Sequence, residues 1–188
     1  MIKYLTALTF FLASCQQKKQ VILDGTLNQA ILATENPNIT YTPIYTTISY
    51  PMGDVNPSTG VCTDVVIRAY RKVGIDLQRL VHEDMLDNFT LYPNKWGLTH
   101  PDSNIDHRRV PNLMVFFQRK GETLPLKGEY QPGDIVTWEL SRGVTHIGLV
   151  TNQKEGDTYK VLHNIGRGQV IENVLHNYKI IGHYKYTK

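Results

Sequence analysis

Cys62, His146, His163 and Asn164 are the residues of this chain whose types and order suit covalent hydrolysis: a thiol to attack a carbonyl, an imidazole to carry its proton, and a polar group to hold that imidazole. Cys62 opens the apolar-periodic stretch CTDVVIRAYRKVG, which predicts a helix beginning at the cysteine itself. At a helix start, free backbone N–H groups and partial positive charge favour a thiolate and can face the oxygen of a tetrahedral intermediate. Taken alone, such a cysteine is read equally well as a small buried apolar residue. The histidines downstream shift the balance. His146 stands near the start of the strand-like VTHIGLV, and His163 and Asn164 lie on the next, VLHNIG, so His146 is the expected general base and His163 or Asn164 its orienter.

The elements that must position these groups are legible from periodicity and turn residues. Leu27 and Ile31, continuing a spacing begun at Leu23, predict a first amphipathic helix ending near Asn36 and Pro37. ITYTPIYTTISY reads as extended, punctuated by Pro43 and Pro51. The helix from Cys62 should bury Val65, Val66, Ala69, Tyr70 and Val73, with Gly74 capping its end. DLQRLVHEDMLDNF reads as a helix and VPNLMVFFQRKG as another starting near Pro111, joined by a long loop from Tyr92 to Asn112 that we expect to govern specificity. YQPGDIVTWEL, THIGLVTNQ, YKVLHNI and KIIGHYKY read as four strands, with SRGV, QKEGD and GRGQVIENVLHN as their turns. Helices first and an antiparallel sheet last predict an α+β domain.

Strand register decides how the candidate site closes. A turn centred between Lys154 and Glu155 sets His146 opposite His163. A centre one residue along sets His163 opposite Gly148, and a half-residue shift brings Asn164 opposite His146 instead. In each case Gly148 leaves out a side chain beside His146. His82, His100, His107, His176 and His183 have no comparable arrangement and are expected mostly on the surface or in loops.

The N-terminus addresses the compartment. MIK, the apolar YLTALTFFLA and LASC (Leu12–Cys15) resemble a bacterial lipoprotein signal over residues 1–14, with Cys15 as the lipidated first residue of the mature chain. The apolar stretch is shorter than the roughly 20 residues that span a bilayer. Residues 15–20 read as a polar tether and 21–188 as one domain, lipid-anchored in the bacterial envelope, facing the periplasm or on the outer membrane. Lipidation of Cys15 would leave Cys62 without a disulfide partner. The formal charge of +3, with no dense basic stripe, argues against nucleic acid as a partner. Neither HExxH nor CxxC spacing occurs, groupings around Asp106 and His107 are too loose for a metal, and nucleotide, pyridoxal and haem signatures are missing; we expect no metal and no cofactor.

From about Tyr41 onward, the segments YPMGDVNPSTGVCTDVVIRAYRKVGIDLQRLVHEDM, WGLTHPDSNIDHRRVPNL, YQPGDIVTW, THIGLV, HNIG and GHYKY resemble the bacterial YijF-like family of unknown function, DUF1287. More distantly, the order of Tyr50, Gly53, Pro57, Gly60 and Cys62, then PGDIV, HIGLV and LHN, is similar to the NlpC/P60 papain-like peptidases, which cut amide bonds in peptidoglycan stem peptides. That resemblance implies a papain-like fold, Cys62 as nucleophile, His146 as base, His163 as orienter, and Tyr50 near the oxyanion. The chain departs from that pattern in having Thr63 and Asp64 after the cysteine. Asp64 either supports the helix start or touches substrate, and as a neighbouring carboxylate it should raise the thiol pKa. The inserted loop bearing Asp106, His107, Arg108 and Arg109 offers two arginines that either fork onto substrate carboxylates or pair with the His82, Glu83 and Asp84 neighbourhood. The expected activity is a cysteine amide or peptide hydrolase acting, as a monomer, on peptidoglycan or its peptide fragments. The alternatives are a non-catalytic peptidoglycan-binding lipoprotein and an acyltransferase using the same Cys–His site.

Overall fold

Val65, Val66, Ala69 and Tyr70 are wholly buried along one face of Cys62–Lys72, and this stripe makes that helix, α2, the central one of the fold. The computed structural model describes residues 25–187. The proposed signal at 1–14, Cys15, the tether at 15–20 and Leu23 lie outside the described residues. A helix over 25–32, α1, buries Leu27 and Ile31 in the main core. The stretch expected to be extended forms only a two-residue strand β1 (Thr40–Tyr41), paired in parallel with β2 (Thr59–Gly60). Its Ile44 and Tyr45 stay exposed, so an alternating β-prone sequence here has no partner strand to extend against.

Gly74 ends α2 as expected. Its φ of +79° lets its N–H reach the Arg71 carbonyl at 2.9 Å and that of Ile75 the Tyr70 carbonyl at 3.0 Å. Helix α3 (Leu77–Asn88) starts on Asp76, whose carboxylate accepts the Gln78 N–H at 3.2 Å. The loop beyond it closes with a short 3₁₀ turn, Asp106–Arg108, before α4 (Val110–Lys120), which carries Pro111 in its first turn. No helix among the described residues is long and apolar enough to cross a membrane.

Six strands then form one antiparallel sheet: β3 (Glu122–Thr123), β4 (Ile135–Ser141), β5 (Val144–Glu155), β6 (Thr158–His163), β7 (Val170–Glu172) and β8 (Lys179–Lys185), in the order β3-β8-β4-β5-β6-β7. The architecture is α+β, with two more strands than the four expected. β3 and β7 are too short to announce themselves, and β7 lies inside the segment read as a long turn.

Alternation gives the sheet two buried faces. Ile135, Ile147, Leu149, Leu162 and Tyr184 join α2, α3 and α4 in the main core. Val136, Trp138, Val150 and Val161 form a second cluster with Tyr130 and Leu175. Two of the histidines expected in loops or at the surface are buried. His183 sits between the Asp134 carboxylate at 2.8 Å and the Pro125 carbonyl at 2.9 Å, stacked on Tyr130. His107 is 2 % exposed. Neither burial follows from local pattern, because each is imposed by contacts from distant segments.

Candidate active site

Leu149 pairs with Leu162 and Val150 with Val161, so continuing the register by one step sets His163 against Gly148, diagonal to His146. A register shift between Val150 and Lys154 separates this end of the hairpin from its turn, which is why turn position alone leaves the pairing open. A Cβ at Gly148 would lie 3.2 Å from His163 Cβ and 2.7 Å from Val161 Cγ1, so the bare backbone makes room for the two rings.

His146 Nε2 and His163 Nδ1 are 2.9 Å apart, and His163 Nε2 is 3.0 Å from Glu172 Oε2. Glu172 in turn holds Arg167 at 2.7 Å. These contacts fix both tautomers. A carboxylate can only accept, so His163 Nε2 carries the proton and its Nδ1 is a lone pair. His146 Nε2–H then donates to it, and His146 Nδ1 is left bare as a base. Burial holds His146 down at about 3, with His163 beside it adding to the effect. Burial also lowers His163, against the opposing pull of Glu172. Both imidazoles are therefore neutral at neutral pH.

Glu172 is the member of this chain of bonds that sequence reasoning missed. The β-branched pair Val170–Ile171 ahead of it was the available signal for a strand. Glu172→Gln should lower kcat/KM by roughly tenfold to a hundredfold while leaving the fold intact, because an amide can donate as well as accept and so mixes the tautomers. Steady-state kinetics beside a thermal melt checks this; unchanged kinetics would remove Glu172 from the site.

Cys62 is the first residue of α2 and 5 % exposed, within the main apolar core. Burial pushes its thiol up to about 12, with Asp64 adding to the rise. The backbone N–H groups of Ile147, Thr63 and Cys62 itself pull the other way. The help expected from the helix start is present and is outweighed by burial, so the resting nucleophile is a neutral thiol. The Ile147 N–H that faces it belongs to the residue after His146, which brings thiol and base to one point on β5. No hydrogen bond joins them in this resting arrangement of the described residues.

Asn164 does not orient His146. Its side chain accepts from Gly166 N–H at 3.0 Å and donates to the Gly60 carbonyl at 3.4 Å, tying the end of β6 to the loop before Cys62. Asp64 serves the helix start. Its carboxylate takes the Val61 N–H at 2.7 Å and a two-pronged bond from Arg108, Nε at 2.8 Å and Nη2 at 3.0 Å. Arg108 thus pairs across 44 residues of sequence and not with positions 82–84. Glu83 pairs with Arg79, and Asp84 with Arg119 and Lys120. Arg109 leans on Asp106 at 3.5 Å and stacks over Trp96. His107 is held neutral, driven down to about 3 by burial and then by Arg71 and Arg108. Tyr50 packs edge-on against His82. Tyr41, paired opposite Gly60, is raised to about 12, first by burial and then by Cys62 and Asp64.

A family model described as a domain of unknown function, DUF1287, matches residues 28–186, a span that takes in Cys62, both imidazoles and Glu172. The chain belongs to the DUF1287 family. It is also similar to the uncharacterized protein YijF of Escherichia coli strain K12, 53 % identical over 150 residues that make up 78 % of this chain and 73 % of YijF. In this DUF1287 chain the thiol, the two rings and the carboxylate come from α2, β5, β6 and β7, so one helix, one hairpin of the sheet and one edge strand carry the four groups.

Proposed function

We propose that the chain is a cysteine-dependent amide or peptide hydrolase with a papain-like domain over residues 21–188, held in the bacterial envelope through a lipid on Cys15 and acting on peptidoglycan stem peptides. The observation that carries this reading is the hydrogen-bonded run from Glu172 through His163 to His146, which leaves His146 Nδ1 bare next to the residue whose N–H faces Cys62.

Cys62 Sγ attacks the substrate carbonyl carbon as its proton passes to His146 Nδ1. The C–N bond then breaks, the amine leaves with that proton, and a thioester remains. Water attacks the thioester, giving one proton to His146; the C–S bond breaks, the sulfur takes that proton back as thiol, and the carboxylic acid product departs and releases its remaining proton to solvent. Backbone N–H groups at the start of α2 face the developing oxyanion. His163 and Glu172 hold the ring and stabilise it when charged.

Because the working forms are neutral thiol and neutral imidazole, and His163 lies below its ordinary value, kcat/KM should stay flat across neutrality, from about pH 7 to pH 8. His146 gains a proton only as pH falls toward about 3, and Cys62 loses one only toward about 12. A pH–rate profile with a limb in that window would mean that one of the working groups titrates there and would contradict this account.

The reading is tested by mass spectrometry of purified muropeptides incubated with the protein. New fragments name the bond cut, and products formed with an added amine or alcohol would reassign the acyl-enzyme to transfer. The burial of Cys62 supports a second reading, a binder of stem peptides whose thiol is core packing. Binding of muropeptides with no fragments over long incubation would favour it.

A further inference from the structure

A cavity of about 280 Å³ between α3, the loop beyond it and the start of α4 takes no part in the chemistry above. Its lining includes the apolar Met85, Phe89 and Leu98 and the polar Asp106, Arg109 and Asn112. Arg109 and Asn112 both have unspent capacity. Asn112 is 1 % exposed; its Nδ2 donates to the Asp106 carbonyl at 3.1 Å, whereas its buried Oδ1 accepts nothing. A buried acceptor without a donor is costly to leave in place. The Arg109 guanidinium lies over Trp96, 4.0 Å from the ring centroid, and its 3.5 Å contact with Asp106 leaves most of its N–H donors free. Arg109 caps α4 and Asn112 follows three residues later, so a cation with donors to spare beyond Asp106 and an unfilled acceptor stand on the same first turn.

We propose that this cavity binds the free carboxyl end of a peptide. Arg109 forks onto the terminal carboxylate, the last amide N–H donates to Asn112 Oδ1, and the last side chain lies against Met85, Phe89 and Leu98. The volume suits a single residue. The cavity is tied to the nucleophile's helix, since Thr63 Oγ1, next to Cys62, donates to the Arg108 carbonyl at 3.2 Å. As a specificity subsite the assignment rests on the hydrolase reading, but its test needs no turnover.

Full-length Cys62→Ala protein is titrated with N-acetyl-leucine and with N-acetyl-leucine amide while tryptophan emission is followed. Of the chain's two tryptophans Trp96 lines the cavity and Trp138 lies in the second cluster on the sheet, so a change on binding reports on Trp96. The acid should give a saturable change and the amide should bind at least tenfold more weakly. Arg109→Gln should bring the acid down to the level of the amide with no change in melting temperature. Equal binding of acid and amide, no saturation with either, or an unaffected Arg109→Gln protein would overturn the assignment. Should that variant melt early, the acid–amide comparison in the parent decides alone. Binding of the acid by a protein that cuts no muropeptide would keep the subsite and discard only the hydrolase.

Discussion

Cys62→Ala should abolish muropeptide cleavage, a fall on the order of 10⁴-fold or more, because it removes the one thiol among the described residues and with it the proposed acyl-enzyme. His146→Ala should cost about as much. The double variant should be scarcely worse than either single one, since thiol and base act in the same step and their effects do not add. Kinetics on the three proteins, with circular dichroism to verify folding, gives the comparison. Residual cleavage by Cys62→Ala within tenfold of the parent would sink the covalent mechanism. Multiplying losses in the double variant would mean that the two residues work separately.

Asp64→Ala should lower stability by about 3–5 kcal/mol, the range for removing one partner of a buried ion pair and leaving the other charge stranded. Both side chains of the Asp64–Arg108 pair are 3 % exposed. Asp64 also satisfies the Val61 N–H at the start of α2, so the substitution strips the helix that presents Cys62. The contrast is Glu83→Ala, which breaks a pair with Arg79 whose side chains are 43 % and 49 % exposed and should cost only about 0.3–0.5 kcal/mol. Combining Asp64→Ala with Arg108→Met should recover part of the loss, because the stranded charge is gone. Urea unfolding of the parent and the three variants measures these differences. A loss below about 1 kcal/mol for Asp64→Ala would show that the pair is not the buried strut described here.

Local pattern was sufficient for the parts of the fold that are long and periodic. The stripe of α2, the glycine that ends it, the proline-led start of α4 and the four longer strands are all legible in the chain. What pattern could not supply is whatever depends on two distant segments meeting. Arg108 finds Asp64 and not its near neighbours, because only the folded chain brings the 3₁₀ turn over the start of α2. Tyr41 comes opposite Gly60, two residues before the thiol, because β1 pairs with β2. Glu172 escaped notice because a three-residue edge strand has too little alternation to be seen. The choice between His163 and Asn164 was open until the register was known, since one step of slip exchanges the two faces.

The sheet is bounded by its two shortest strands, β3 with two residues and β7 with three. β3 covers only Tyr184 and Lys185 of β8, and β7 only Val161–His163 of β6, so what a further strand could add to is a short remainder of each of these two strands. The long β5, whose backbone would be the best template for edge-to-edge aggregation, is enclosed by neighbours on both sides.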